Sequence, residues 1–330
     1  MTDFAGVLSY VSFFMVFALI NGIAVLGLNL QWGQTGLFNV GVAAFVAIGA
    51  YTSALLTTPA VAGHFGGYEL PIVAGWAGAM LVAGGVSALV GFATLRLRSD
   101  YLAITTFGVA VTVGLITQNA ERLTGGSFGM SFIPRPFADL AQRPLAFALA
   151  SVALVGIVVA LVYLALERLV QSPWGRVLRA IREDERAAAS LGKNPARYRL
   201  QAFAIGGAVM GLSGAVHAHV IGFIAPENYQ SSLTFQVWTM LIVGGAGSNR
   251  GALAGAVLVW ALWSMTGFAT GVAFPADEQA RAAALRIVAI GVLLAAVIVL
   301  RPRGLFGAAS GPAAHAPKAA VPTVSGETEG

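Results

Sequence analysis

Residues 172–200 read SPWGRVLRAIREDERAAASLGKNPARYRL. Seven of the chain's 19 basic residues fall within this stretch, and Arg168 just ahead of it makes eight. Long, nearly charge-free apolar segments flank it on both sides. A membrane protein that keeps a charged, helix-forming element of this size between two spans is expected to offer it to something in the cytoplasm.

The rest of the chain supplies the membrane setting. With 330 residues, 57% of them hydrophobic and only 10% charged, and a mean hydropathy of +0.80, the apolar surface is too great for one water-soluble core. Lipid is therefore the expected solvent, and the expected class is an all-α integral membrane protein. The absence of cysteine excludes disulfide frameworks, thiolate nucleophiles and cysteine-ligated metals. The net charge of +5 does not point to nucleic acid, because the basic residues cluster at the ends of apolar segments, where they orient a membrane protein. Asp3 and the lack of Lys or Arg before the first apolar run argue against a cleaved signal peptide.

A helix needs about 20 apolar residues to cross a bilayer. Segments 4–30, 37–56, 71–95, 101–120, 144–166, 200–224 and 251–274 approach that length, and two shorter ones, 233–247 and 285–300, close the topology. The expectation is about nine spans, between eight and ten, forming a transmembrane domain over 1–307 with a disordered cytoplasmic tail over 308–330. Placing 172–200 in the cytoplasm puts 14 basic residues inside and five outside, as the positive-inside rule requires. The N-terminus is then outside and the C-terminus inside. The loop 121–143 runs against the charge rule with Arg122, Arg135 and Arg143, but LTGGSFGM and the pair Pro134 and Pro136 mark it as a folded cap.

All 14 acidic residues lie in loops, tails or membrane edges. Ion-coupled transporters commonly keep an ionisable or ion-coordinating group at depth, so this distribution counts against self-energised transport. The 41 glycines, many inside spans, favour close helix packing in lipid; local flexibility of a moving pathway is the alternative. Two stretches are richer in Gly and polar groups than the rest: NLQWGQTGLFNVG at 29–41 and GGAGSNRGALAG at 244–255. Irregular backbone at membrane depth survives only where protein or water covers it. The stretches read either as broken helices of an inverted internal repeat or as tight loops. His217 and His219 invite a metal reading, but residues two apart on a helix point about 200° apart, so both read as near-interface residues.

Within the charged stretch, Ser172 and Pro173 are a helix start. From Arg176 onward no Gly or Pro interrupts until Gly192, and Asn194-Pro195 blocks continuation. One helix, or two broken near Glu183 and Asp184, is expected along the membrane surface. Val177, Leu178, Ile181, Ala188 and Leu191 form its apolar stripe, leaving Arg179, Arg182, Glu183, Glu185 and Arg186 for a partner. An amphipathic helix resting on anionic lipid is the competing reading.

AIREDERAAASLG at 180–192 resembles the cytoplasmic "EAA" loop of ABC-importer permeases, in which a short helix docks into a groove on the ATPase. Together with it, LRLRSDYLAITTFG at 95–108, LTGGSFGM at 123–130, MLIVGGAGSNRGALAGAV at 240–257 and RPRGLFG at 301–307 are similar to the permease subunits of branched-chain amino acid (Liv-type) importers. The likeness runs from about 26 to 307 in the family's order. Two departures stand out. The family Glu six positions before the Gly is Arg186 here, with Glu185 one position earlier. After TTFG, where many members place an acidic and then a basic residue, this chain has Val111 and Gly114, which bears on the solute carried.

The resemblance implies a bacterial inner-membrane complex of this permease, a homologous second permease, two ATP-hydrolysing subunits and a periplasmic solute-binding protein. Docking is then expected of Arg179, Arg182, Glu183, Glu185, Arg186, Ala187, Ala188 and Gly192. The chain contains no phosphate-binding G-x-x-x-x-G-K-[ST] loop, since Gly192-Lys193 is followed by Asn194; ATP and Mg are expected on the partner subunits, and no cofactor, metal or catalysis on this chain. The uncharged polar residues Asn29, Gln31, Gln34, Thr35, Asn39, Thr105, Thr106, Gln118 and Asn119 are candidates for the translocation pathway, with helix-packing hydrogen bonds as the alternative for each. Branched-chain amino acids, other amino acids, and urea or short amides all remain open as solutes. A stand-alone secondary transporter or channel, and a membrane scaffold, are the competing classes.

Overall fold

The computed structural model describes residues 2–273 except 61–62, 64, 95–98 and 141, and beyond them only residues 281, 284–285, 288, 291–292, 295–296, 299 and 304–306. Among these residues the architecture is helical, with two isolated backbone bridges and no strand. In chain order the helices are α1 (Thr2–Leu28), which runs on as a π-helical turn (Asn29–Gln34), α2 (Val42–Thr57), α3 (Ile72–Thr94), α4 (Ser99–Asn119), a one-turn α5 (Glu121–Thr124), α6 (Pro144–Gln171), α7 (Pro173–Glu183), α8 (Glu185–Ser190), α9 (Pro195–Ile221), α10 (Ser231–Gly244) and α11 (Asn249–Ala273).

Five helices are long and apolar enough to cross a bilayer, and α2 and α10 are shorter apolar helices. The chain is thus an all-α multi-pass membrane protein. The segment expected at 285–300 and the tail at 308–330 lie largely or wholly outside the described residues.

Helix α9 is the axis around which α1, α2 and α3 pack, and its glycines explain why they come so close. Gly207 and Gly211 face Ser87, Ala83 and Ala79 of α3, Gly214 faces Val46 and Ala50 of α2, and Gly206 faces Gly27 of α1. In lipid, where no hydrophobic effect drives helices together, such backbone-to-backbone approach is a main source of cohesion. Polar side chains add to it: Ser87 donates to the Phe203 carbonyl at 2.7 Å and Ser213 to the Ile20 carbonyl at 2.7 Å. The glycine abundance is therefore largely a packing feature at these positions, while Gly85, Gly108, Gly114 and Gly156 face open space.

The loop 121–143 is folded. Met130 and Ile224 exchange backbone hydrogen bonds at 2.8 and 3.0 Å, and Phe65 donates to the Arg122 carbonyl at 2.7 Å. His219 is fully buried and links this loop to the bundle, with Nδ1 at 2.7 Å from the Pro134 carbonyl and Nε2 at 2.9 Å from Ser53 Oγ. His217 instead meets the Tyr229 hydroxyl at 3.1 Å, so the two imidazoles serve different neighbours.

Candidate functional site

The charged stretch folds as two helices broken at Asp184. The Asp184 carboxylate accepts hydrogen bonds from the backbone N–H of Arg186 at 2.9 Å and Ala187 at 3.0 Å, capping α8. At the other end Gly192 has φ of +75°, the left-handed conformation that glycine adopts without strain, and Lys193 N closes back on the Ala188 carbonyl at 3.2 Å. Asn194 then starts α9 by accepting from Arg197 N at 3.2 Å. Ser172 differs from expectation. Its hydroxyl donates to the Leu169 carbonyl at 2.6 Å, which also accepts from the Ser172 backbone N–H at 3.3 Å, and makes no bond to the turn it precedes.

Leu178, Ile181 and Ala188 form the buried stripe, with Val177 partly covered. Leu191, expected in that stripe, is 80% exposed. The break at Asp184 rotates α8 relative to α7, so positions that share a face of one continuous helix no longer do. Glu183, Glu185, Arg186, Ala187 and Gly192 are exposed beside Leu191. Glu185 is tied down by Arg199 of α9 at 2.7 Å, and Arg179 donates to the Val170 carbonyl at 3.2 Å.

Arg182 turns inward. Its guanidinium donates to the carbonyl oxygen of Gly33, in the π turn that extends α1. Burial pulls its pKa down from the ordinary value, with Glu183 acting in the opposite sense; a guanidinium nevertheless stays charged. A hydrogen bond from a charged donor contributes roughly 1.5–3 kcal/mol, so this contact is among the stronger links between α7 and the spans.

The π turn meets the second Gly-rich stretch. Asn29 Nδ2 donates to Asn249 Oδ1 at 2.8 Å, Gly247 N donates to Asn29 Oδ1 at 2.8 Å, and Gln34 Nε2 donates to the Gly247 carbonyl at 2.9 Å. Asn249 Nδ2 donates in turn to Glu167 Oε2 of α6 at 2.8 Å. A Cβ on Gly33 would lie 2.5 Å from the Gly247 nitrogen, so only glycine lets the two stretches touch. Leu305 and Phe306 donate to the carbonyls of Val243 and Gly244, both at 2.9 Å, so residues 304–306, the described part of the end motif, pack against the same junction. Sequence reading singled out both stretches and the end motif without signalling that they converge; the contacts between the two stretches join residues more than 200 positions apart.

Most pathway candidates are placed in this polar packing. Asn29, Gln31, Gln34, Thr35 and Asn39 are buried. Gln31 donates to the Phe203 carbonyl at 2.8 Å, Asn39 donates to Gln31 Oε1 at 2.7 Å, and Thr35 donates to the Gln31 carbonyl. Thr106 is buried on α4 and accepts from Val40 N at 3.0 Å. Thr105 bonds the Tyr101 carbonyl at 2.7 Å and Asn119 the Leu115 carbonyl at 2.7 Å, each within its own helix. Gln118 and Asn119 are exposed near the end of α4.

A bundle of apolar spans with an exposed helical pair anchored to the ends of α1, α6 and α9 has the build of a membrane permease. Residues 10–298 match the family described as branched-chain amino acid transport system / permease component, and the chain belongs to that family. It is 35% identical over 255 residues to the high-affinity branched-chain amino acid transport system permease protein LivM of Escherichia coli, an alignment covering 71% of this chain and 58% of that protein. It is 27% identical over 319 residues to the probable LivM permease of Methanocaldococcus jannaschii, covering 86% and 89%. To the E. coli LivH permease it is 25% identical over 292 residues, again covering 86% and 89%. The chain thus spans little more than half the length of the enterobacterial LivM proteins it matches. No solved structure matches it.

Proposed function

We propose that the chain is a membrane-spanning permease subunit of an ATP-binding-cassette importer in a bacterial inner membrane. It translocates branched-chain or related amino acids delivered by a periplasmic binding protein, alongside a homologous second permease, while two separate subunits bind Mg and ATP and carry out the hydrolysis. The N-terminus faces out, and α7 and α8 face the cytoplasm. The observation that carries this reading is the two-sided build of α7–α8. One side presents Leu191, Ala187, Arg186, Glu183 and Gly192 outward, while the other is hooked to α1 through Arg182 and Gly33. Closure of the ATPases moves that pair, and the junction of Asn29, Gly247, Asn249 and Glu167 carries the displacement to α1, α6, α10 and α11. The chain's own part is mechanical and solute-guiding, with no catalytic step.

Reconstitution tests this directly. Proteoliposomes holding both permeases, the ATPases and the binding protein are expected to take up L-leucine with ATP at least tenfold faster than liposomes lacking the ATPases. Uptake that is unchanged when the ATPases are omitted would establish a stand-alone transporter or channel instead.

A further inference from the structure

A partly open cavity of about 250 Å³ is lined by α1, α2, α9, α10, α11 and the turn at Pro226–Tyr229. None of its 13 lining residues is Asp, Glu, Lys or Arg, and six are polar: Asn21, Ser213, His217, Asn228, Tyr229 and Gln236. It lies beside the second half of α1, the first half of α10 and the C-terminal end of α9. One wall is aromatic, with Phe17 and Trp260 stacked at 5.7 Å between ring centres and 12° between planes. Phe17 also meets the His217 ring edge-on at 5.9 Å. A second hollow, lined by Tyr10, Phe13, Phe14 and Ser264, shares Phe17 and Trp260 with it and leads toward the outer surface of α1 and α11.

Packing uses most of the polar groups here, Ser213 and Asn228 included, and leaves one donor over. Gln236 Nε2 is buried and has no hydrogen-bond partner among the described residues, a state that costs roughly 1–3 kcal/mol unless something in the cavity accepts from it. Asn21 commits its Nδ2 to the Phe17 carbonyl at 2.9 Å, and His217 commits its Nδ1 to Tyr229. The volume is below the usual 300–1,000 Å³ of drug-sized sites and suits a single small solute.

Resting on the permease reading, we propose that this cavity is a transit site for one neutral amino acid with an aliphatic side chain. The side chain lies against Ile20, Leu233 and the Phe17–Trp260 wall, and the carboxylate takes the Gln236 amide. Uncharged partners hold a zwitterion weakly, which lets it leave, and a charged side chain would find no counter-charge. Selection by the cavity is thus for apolar character and size.

The test uses the assembled permease–ATPase complex in nanodiscs, without binding protein, and saturation-transfer NMR on L-leucine. Saturation is expected to reach the leucine methyl groups, with L-glutamate giving less than one fifth of that signal. Leu233→Trp, which fills the cavity, and Gln236→Leu, which keeps the volume but removes the amide, are each expected to lower the leucine signal at least fivefold. If Leu233→Trp fails to assemble, Gln236→Leu decides. Wild-type signal in Gln236→Leu, equal signals from glutamate and leucine, or no leucine signal in the wild type overturns the site. ATP-dependent leucine uptake by wild-type proteoliposomes, measured in parallel, shows whether the permease reading stands when the site does not.

Discussion

Gly214→Leu is expected to abolish accumulation of folded protein, whereas Gly85→Leu on the neighbouring helix leaves it at the wild-type level. At Gly214 a Cβ would collide with the Val46 carbonyl oxygen and lie 3.0 Å from the Ala50 nitrogen. These obstacles are helix backbone, which has no rotamer to give. Overpacking of an ordinary core costs about 1–3 kcal/mol, when side chains can shift; here α2 and α9 would have to separate along their whole contact. A Cβ on Gly49 would collide with the Gly211 carbonyl from the opposite helix, so the contact cannot slide to relieve it. Gly85 meets nothing within 4 Å, and leucine has the better helix propensity. The measurement is the yield of monodisperse protein by fluorescence-detected size exclusion; comparable yields for the two variants would contradict the close α2–α9 packing.

The second large effect is expected at Arg182. Arg182→Ala removes the donor that reaches the Gly33 carbonyl while leaving Leu191, Arg186 and Glu183 exposed for the ATPases. ATPase subunits should still bind and hydrolyse ATP, while leucine transported per ATP falls about tenfold or more, because losing roughly 1.5–3 kcal/mol of a charge-assisted bond corresponds to at least one decade in an equilibrium constant. Arg182→Lys keeps the charge but loses the forked donor geometry, and is expected to restore coupling only in part. Unaltered transport per ATP in Arg182→Ala would remove Arg182 from the transmission route.

Much of the fold was legible because it is local. Apolar runs of about 20 residues, Ser172-Pro173, the Gly192 stop and the Asn194-Pro195 restart carry their signals within a few positions, and the helices fall where those signals stand. The break at Asp184 was readable as one of two options, and its capping geometry chose between them. Partnerships across the chain were not legible. The polar residues of 29–41 are uncharged, which suits a solute path and equally suits the repair of an irregular backbone; in this structure Asn29, Gln31 and Asn39 make buried hydrogen bonds. Arg182 looked like a surface charge because helical periodicity gives its direction around α7 but not what lies there. The cavity beside Gln236 left no motif, since its walls come from five helices and a turn, each contributing one to four side chains.

The central claim is that force made by cytoplasmic ATPases enters the spans through α7 and α8. The chain has no native cysteine, so a single thiol at Leu191→Cys reports on that surface alone when a membrane-impermeant maleimide is applied. The account predicts no labelling of right-side-out spheroplasts, full labelling of inside-out vesicles stripped of the ATPases, and at least fivefold protection when the ATPases are added back. Labelling from the outer side, or labelling that the ATPases leave undiminished, would contradict it.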